Sequence, residues 1–264
     1  MTEQEERRIL LVEDNPDFSK TAKKCLQERA YEVRHAQDYV QANAILLAQD
    51  TSGFSGVISD CFFPEETGSG KRSLGLALVD KMLATDESGK RIEDYEKAFE
   101  KIMDLDDELR TYVRIVGSHS SEDPKNNPIF KAASTASRVS REVGAIVTKN
   151  TLAMVCKEEA SRFKDHYKAL RDAIEKDESN QPLGIAVAEL ADELKLPVVL
   201  ATSTNHHDSL TQPIQNYTRW PLVDCSTNYP NEKDTAYFWS RVLNCLERRI
   251  GESKWNKYTS SQNI

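Results

Sequence analysis

Three apolar runs in this chain end in residues that could do chemistry. Arg8-Ile9-Leu10-Leu11-Val12 runs into the acidic pair Glu13-Asp14, and Gly56-Val57-Ile58-Ser59 runs into Asp60. Leu196-Pro197-Val198-Val199-Leu200-Ala201 runs into Thr202-Ser203-Thr204. If the runs are strands of one open parallel sheet, these residues gather at its carboxyl edge, where such sheets bind ligands. Carboxylates brought together there repel one another and need a cation, a shared proton or a lysine. Oxygen-only ligands from two or three carboxylates suit Mg²⁺, which keeps several waters and pairs with phosphate. The Thr202 hydroxyl could then donate to a phosphoryl oxygen. Acidic residues also collect at strand ends merely because water is there, so spacing alone leaves both readings standing.

Other candidate motifs carry less. His206-His207 are adjacent and so point differently, and no zinc-ligand spacing accompanies them; they read as a solvated loop. His166, in Lys164-Asp165-His166-Tyr167-Lys168, reads as a surface residue of a helix. Gly68-Ser69-Gly70-Lys71 resembles the end of a phosphate-binding loop, but the earlier glycine of that motif is replaced by Glu65. Asp60-Cys61-Phe62 lacks the second aspartate of an aspartate-nucleophile phosphatase, and no G-x-S-x-G motif is present. A Mg²⁺-dependent phosphohydrolase would need a general base that the sequence does not identify.

The elements that must position the acidic residues alternate regularly. Asn15-Pro16 reads as a helix start, with Asn as cap and Pro in the first turn. The helix would turn Phe18, Ala22, Cys25 and Leu26 inward. Tyr31–His35 alternates like an edge strand, and Asp38 to Gln49 returns to helical period through Val40, Ala44, Ile45 and Ala48. Leu183 to Leu194 reads as a helix, and Trp220-Pro221-Leu222-Val223 as a weak edge strand. Asp234 to Arg249 reads as a closing helix with Tyr237, Phe238, Val242, Leu243, Leu246 and Ile250 inward, followed by a frayed tail after Gly251. Strand–helix alternation of these lengths implies βαβ units and a parallel sheet. Between the halves, Arg91–Val116 and about Ile129–Asp177 show helical seams. A helical hairpin inserted into the sheet domain is the simplest account, with a coiled-coil dimer as the alternative. The expected division is therefore a sheet domain of 1–84 and 181–264 and a helical insertion of 85–180.

Composition limits the partners. The 264 residues include 35 Lys+Arg against 43 Asp+Glu, a net charge of −8. With a pI near 5.3 and no long basic run, no nucleic-acid partner is expected. No stretch approaches the length of a membrane span, and the acidic N-terminus has no apolar signal region behind it. The five cysteines are scattered and form no C-x-x-C pair. These features lead to the expectation of a cytoplasmic chain with reduced thiols and no membrane partner.

Ile9–Pro16, Val57–Pro64 and Leu196–Thr202 together resemble the receiver domain of two-component response regulators. The resemblance covers about residues 8–64 and 181–250. It implies a flavodoxin-like, doubly wound, parallel five-stranded sheet of order 2-1-3-4-5, here with a helical insertion. It further implies that Glu13 and Asp14 form the acidic pair for Mg²⁺, that Asp60 is the phosphoacceptor and also a metal ligand, and that the Phe62 backbone carbonyl completes the protein's ligands. Thr202 would be the phosphoryl-contacting hydroxyl. The implied partners are a histidine kinase or phosphotransfer protein and a downstream protein, the latter through the insertion. No DNA-binding segment follows the last helix, so the output expected is protein–protein contact, from a phosphoacceptor rather than a turnover enzyme.

Two departures accompany the resemblance. Residues 65 to 181 separate the phosphoacceptor strand from Gln181-Pro182-Leu183-Gly184-Ile185, which matches the start of the next helix. Leu74-Gly75-Leu76 is then an imitation of that start, or the true start interrupted later. The family's lysine at the end of the last strand is also missing: the matching stretch reads Leu222-Val223-Asp224-Cys225-Ser226, and the nearest lysine is Lys233. An aspartate there would add repulsion, although a lysine from the insertion could substitute. The missing lysine favours a second reading, a pseudo-receiver serving as an interaction scaffold that is never phosphorylated.

Overall fold

The computed structural model describes residues 7–48, 53–86, 151–205, 208–226 and 231–261. Five parallel strands, β1 (Arg8–Val12), β2 (Glu32–Ala36), β3 (Phe54–Asp60), β4 (Val198–Ala201) and β5 (Leu222–Val223), form one sheet in the order β2-β1-β3-β4-β5. This is the flavodoxin-like order. β1 and β4 are apolar without alternation because both faces of a central parallel strand are covered, and Ile9 to Val12 and Val198 to Ala201 are all buried. β2 alternates because it lies at the edge.

Among the described residues the helices are α1 (Pro16–Glu28), α2 (Tyr39–Leu47), α3 (Ser73–Thr85), α4 (Thr151–Lys176), α5 (Gly184–Glu193), α6 (Thr211–Tyr217) and α7 (Ala236–Ser261). α1 begins as its sequence requires: the Asn15 side chain accepts from the Asp17 and Phe18 amides, with Pro16 at the first position. Ala22, Cys25 and Leu26 of α1 join Phe238, Trp239, Val242, Leu243 and Leu246 of α7 in one apolar cluster over β1, β3 and β4. α5 packs against β3 and β4 and beside α2.

Two helical faces differ from the periodicity. In α2 the buried residues are Ala42 and Leu46, while Val40 is 45% exposed. That helix is apolar nearly all round, so its pattern cannot set its rotation; its N-terminus does. Asp38 caps it through the Gln41 amide and also accepts from Thr67, while the Tyr39 and Val40 amides donate to the Pro64 and Glu65 carbonyls. In α7, Tyr237 is 69% exposed, and the helix continues to Ser261 where a frayed tail was expected.

The chain divides into one unit of 1–85 and 166–264 and another of 86–165. The C-terminal part of α4 thus belongs with the sheet rather than with the insertion, and Tyr167, Leu170 and Ile174 are buried there. The seam of Arg91–Val116, and the stretch before Thr151, lie outside the described residues. The Leu74-Gly75-Leu76 stretch begins a helix of its own, α3, and the crossover from β3 to β4 is made by α5. The return to the sheet is marked by backbone pairing: the Phe63 amide donates to Gln181 O and the Gly184 amide to Cys61 O, both at 3.2 Å. Gln181 is fully buried; its Oε1 accepts from the Gly75 amide and its Nε2 donates to the Lys71 and Glu178 carbonyls.

Gly184 permits that return. A Cβ at this position would lie 2.1 Å from the Asp60 carbonyl oxygen and 2.8 Å from Cys61 Cα. Backbone on both sides has no rotamer by which to yield. Gly184→Ala is therefore expected to cost about 3 kcal/mol or more, read as a loss of thermal stability; a melting temperature equal to the parent's would contradict this account of the crossover.

Candidate functional site

Strand register sets the site. Val12 pairs with Ser59 and Asp60 with Ala201, so the first residues beyond β1 and β4 flank the end of β3. Glu13, Asp14 and Asp60 each offer a carboxylate oxygen, and these oxygens all lie within 4.8 Å of one another. Glu13 and Asp60 are buried, while Asp14 is half-buried and forms the solvent side of the pocket. The Cys61 amide donates to Asp60 Oδ1 at 2.7 Å, and the Phe62 amide also donates to the Asp60 carboxylate.

A lysine completes the pocket. Lys233 is fully buried, and its Nζ stands 2.7 Å from Glu13 Oε2 and 3.0 Å from Asp60 Oδ1. It arrives from neither the last strand nor the insertion. It lies on a 3₁₀ turn, Glu232–Asp234, ten residues past the end of β5 and just before α7. The Phe18 ring, 5.1 Å away, adds a cation–π contact. The expectation of a site without its lysine is thus corrected. A search at the strand end meets Asp224, whereas the cation is supplied by a loop that folds back. The sequence signal was a lone lysine between acidic neighbours just before an apolar helix.

One ammonium faces three carboxylates, so the pocket has more negative charge than it can hold dry. Burial, reinforced by the Asp60 and Asp14 charges and opposed by Lys233, raises Glu13 to about 8. Burial and the Asp60 charge raise Asp14 to about 7. Asp60 is raised as well, by burial, against the pull of Lys233 and two backbone amides. Burial alone would lower the Lys233 ammonium, but Asp60 and Glu13 outweigh it and the pKa rises. Protons in the pocket can therefore be exchanged for a cation near neutral pH. The oxygen-only donor set fits a hard divalent ion such as Mg²⁺, with Glu13, Asp14 and Asp60 able to hold it.

Thr202 lies at the same sheet edge and is fully buried. Its hydroxyl is engaged by the Thr204 hydroxyl at 2.8 Å and by the Thr204 amide at 3.2 Å, and it contacts the Cys61 thiol. Thr204 in turn bonds the Thr211 hydroxyl at the start of α6. A phosphoryl contact by Thr202 would draw on this hydroxyl chain. His35 was missed in the sequence. Its Nε2 lies 2.9 Å from the Glu13 carbonyl and its Nδ1 3.0 Å from Lys23 Nζ. A carbonyl only accepts, so Nε2 carries the proton and Nδ1 accepts from the ammonium. Burial lowers the His35 pKa, in keeping with a neutral ring.

Of the remaining sequence candidates, those among the described residues stay outside the site. Gly68 and Gly70 have φ of +73° and +71°, and Lys71 pairs with Glu66 at 2.7 Å, which makes a turn. His166 is half-buried on α4, and His206-His207 lie outside the described residues. No helix of the described residues is long and apolar enough to cross a membrane. Comparison with protein-family models, with curated proteins and with solved structures found no match.

The raised carboxyl groups set a pH dependence. Between the ordinary values of 3.8 for Asp14 and 4.5 for Glu13 and the folded values of about 7 and about 8, the folded pocket binds more protons than the unfolded chain. Stability contributed by the pocket is therefore full at the acid side of that window and falls as pH rises through it. In EDTA, thermal melts should show this decline, Glu13→Gln should shrink it, and millimolar Mg²⁺ should flatten it by stabilising the ionised pocket. A decline identical in Glu13→Gln and in Mg²⁺ would remove the shared pocket.

Lys233→Met leaves the carboxylates without their cation. Breaking a buried pair from one side costs about 3–5 kcal/mol, and this loss is expected in metal-free buffer at alkaline pH, with Mg²⁺ restoring part of it. Equal denaturant midpoints for variant and parent would mean that Lys233 does not neutralise the pocket.

Proposed function

We propose that this chain is a response-regulator receiver-like signalling protein that accepts a phosphoryl group on Asp60. The observation that carries the reading is the Lys233 ammonium set against both Asp60 and Glu13 at the carboxyl edge of a 2-1-3-4-5 sheet. Lys233 is what a phosphoacceptor aspartate needs and a merely solvated acidic edge does not: a cation that travels with the charge. In this reading Glu13, Asp14, Asp60 and the Phe62 carbonyl hold Mg²⁺, and the metal when bound neutralises oxygens of the incoming phosphoryl group.

Asp60 acts as the nucleophile. A carboxylate oxygen forms a bond to phosphorus as the bond from phosphorus to the donor's leaving group breaks, and the leaving group keeps that electron pair. With a phosphohistidine donor the departing imidazole nitrogen then becomes protonated by solvent. Amide donation from Cys61 and the Lys233 ammonium at Oδ1 hold the carboxylate in one orientation, so attack needs no search over rotamers. After transfer the acyl phosphate is more negative than the carboxylate it replaces, and Lys233 is the cation beside it. Thr202 would give its hydroxyl to a phosphoryl oxygen by releasing Thr204.

The donor is a histidine kinase or phosphotransfer protein, and output passes by contact with a downstream protein, with the insertion as the candidate surface. The scaffold reading rested on the missing lysine, and Lys233 removes that support. Incubation with Mg²⁺ and acetyl phosphate followed by intact mass measurement tests the proposal. A single phosphoryl adduct is expected, labile in alkali, absent from Asp60→Asn and formed more slowly by Lys233→Met. An unmodified parent protein, with Mg²⁺ binding demonstrated, would favour the scaffold.

A further inference from the structure

We propose that Arg241 is a positioning residue for this phosphoryl transfer: it clamps the loop after β5 onto α7 and so holds the Lys233 ammonium between Glu13 and Asp60. The inference rests on the phosphoacceptor reading for its kinetic consequence and on geometry alone for its structural one.

A lysine at the end of a strand is held by the sheet's hydrogen bonds. Lys233 has no such support, because a three-residue 3₁₀ turn lies outside the ladder. Its side chain is long, and burial of an ammonium is favourable only if its partners are met closely. Something must fix the turn.

Arg241 does so from both sides of the loop. One guanidinium nitrogen, Nη1, donates to Glu232 Oε1 at 2.8 Å, and Nη2 donates to the Asp224 carbonyl at 3.2 Å. Asp224 lies on the stem leaving β5 and Glu232 on the stem returning to the pocket, so one rigid fork spans the two. Glu232 reinforces this closure, because its Oε2 accepts from the Ser226 amide at 2.9 Å. The Trp239 indole donates to the Lys233 carbonyl at 2.8 Å, which fastens the turn to the same helix two residues earlier. A guanidinium reaches two acceptors in fixed geometry, whereas an ammonium reaches one well. The side chains of Glu232 and Arg241 are 9% and 37% exposed, so Arg241 can be altered without opening the apolar core.

The full-length protein tests this with Arg241→Met, Arg241→Lys and Glu232→Gln, using two readouts. The first is acetylation of Lys233 by acetic anhydride, measured by peptide mass. The second is the rate of phosphoryl transfer from acetyl phosphate in Mg²⁺. Arg241→Met should melt cooperatively, acetylate at Lys233 roughly tenfold faster through local opening, and accept phosphoryl roughly 10- to 100-fold more slowly. Arg241→Lys should fall between it and the parent. Val33→Ala, a partly buried change on β2, serves as the control for general loosening and should leave Lys233 protected. If Arg241→Met fails to fold, Glu232→Gln decides by the same readouts. Lys233 as protected as in the parent, or equally exposed in Val33→Ala, would overturn the clamp. A parent that accepts no phosphoryl group would overturn the phosphoacceptor reading, while acetylation would still judge the clamp.

Discussion

The pocket is organised around one buried ammonium. Three carboxylates meet at the end of β3 because the strand register brings them there, and without a cation the sheet edge would carry unbalanced charge in a low-dielectric setting. Lys233, between Glu13 and Asp60, balances part of it and leaves the rest to protons or a metal. Much of the surrounding architecture follows. The loop after β5 must fold back, α7 must begin beside the pocket to receive it, and the aromatic rings of Phe18 and Trp239 cover the ammonium from the sides.

The same arrangement leads to the expectation that the pocket is sensitive to both pH and divalent cations. A surface cluster would ionise fully and bind little, whereas a sealed one would stay protonated. Here Glu13 and Asp60 are buried, but Asp14 keeps one side open to solvent. A divalent ion held there would compete with protons for the same oxygens, and its occupancy would then be coupled to the stability of the fold. Backbone amides of Cys61 and Phe62 add fixed dipoles that orient the Asp60 carboxylate.

Parallel pairing and the position of the acidic residues were legible in the sequence because each depends on local pattern, while the order 2-1-3-4-5 followed from the resemblance of three motifs to a known family. Apolar runs of four to six residues marked β1, β3 and β4, and Asn15-Pro16 marked the start of α1. The lysine was not legible, because it depends on a loop closing over distance and no strand-end signature announces it. α2 failed for a different reason: apolar on nearly every side, it has no periodic minimum, and its rotation is fixed by Asp38 and the Pro64–Thr67 segment. The choice of Leu183-Gly184-Ile185 over the nearly identical Leu74-Gly75-Leu76 rests, in the sequence, only on its distance to the next strand; in the structure it has a direct physical basis. It is made by what each glycine touches: Gly75 faces the Gln181 side chain, and Gly184 faces the backbone of Asp60.

The return of the chain at Gln181–Gly184 has a wider consequence. β1, β2 and β3 precede the long intervening segment and β4 and β5 follow it, so the border between β3 and β4 joins two stretches remote in sequence. That border is a continuous ladder from Val57 to Asp60, extended by the bridge from Phe63 to Pro182. In effect the sheet unit is a two-piece assembly whose pieces recognise each other through their own edges. Parts of the intervening segment join that assembly, since Leu78, Val79 and Met82 of α3 and Tyr167, Leu170 and Ile174 of α4 are buried within the same unit. Closing a long loop costs little more than closing a short one, so the fit of this border is set by the residues at the seam, with Gln181 and Gly184 tying it to α3 and to the end of β3.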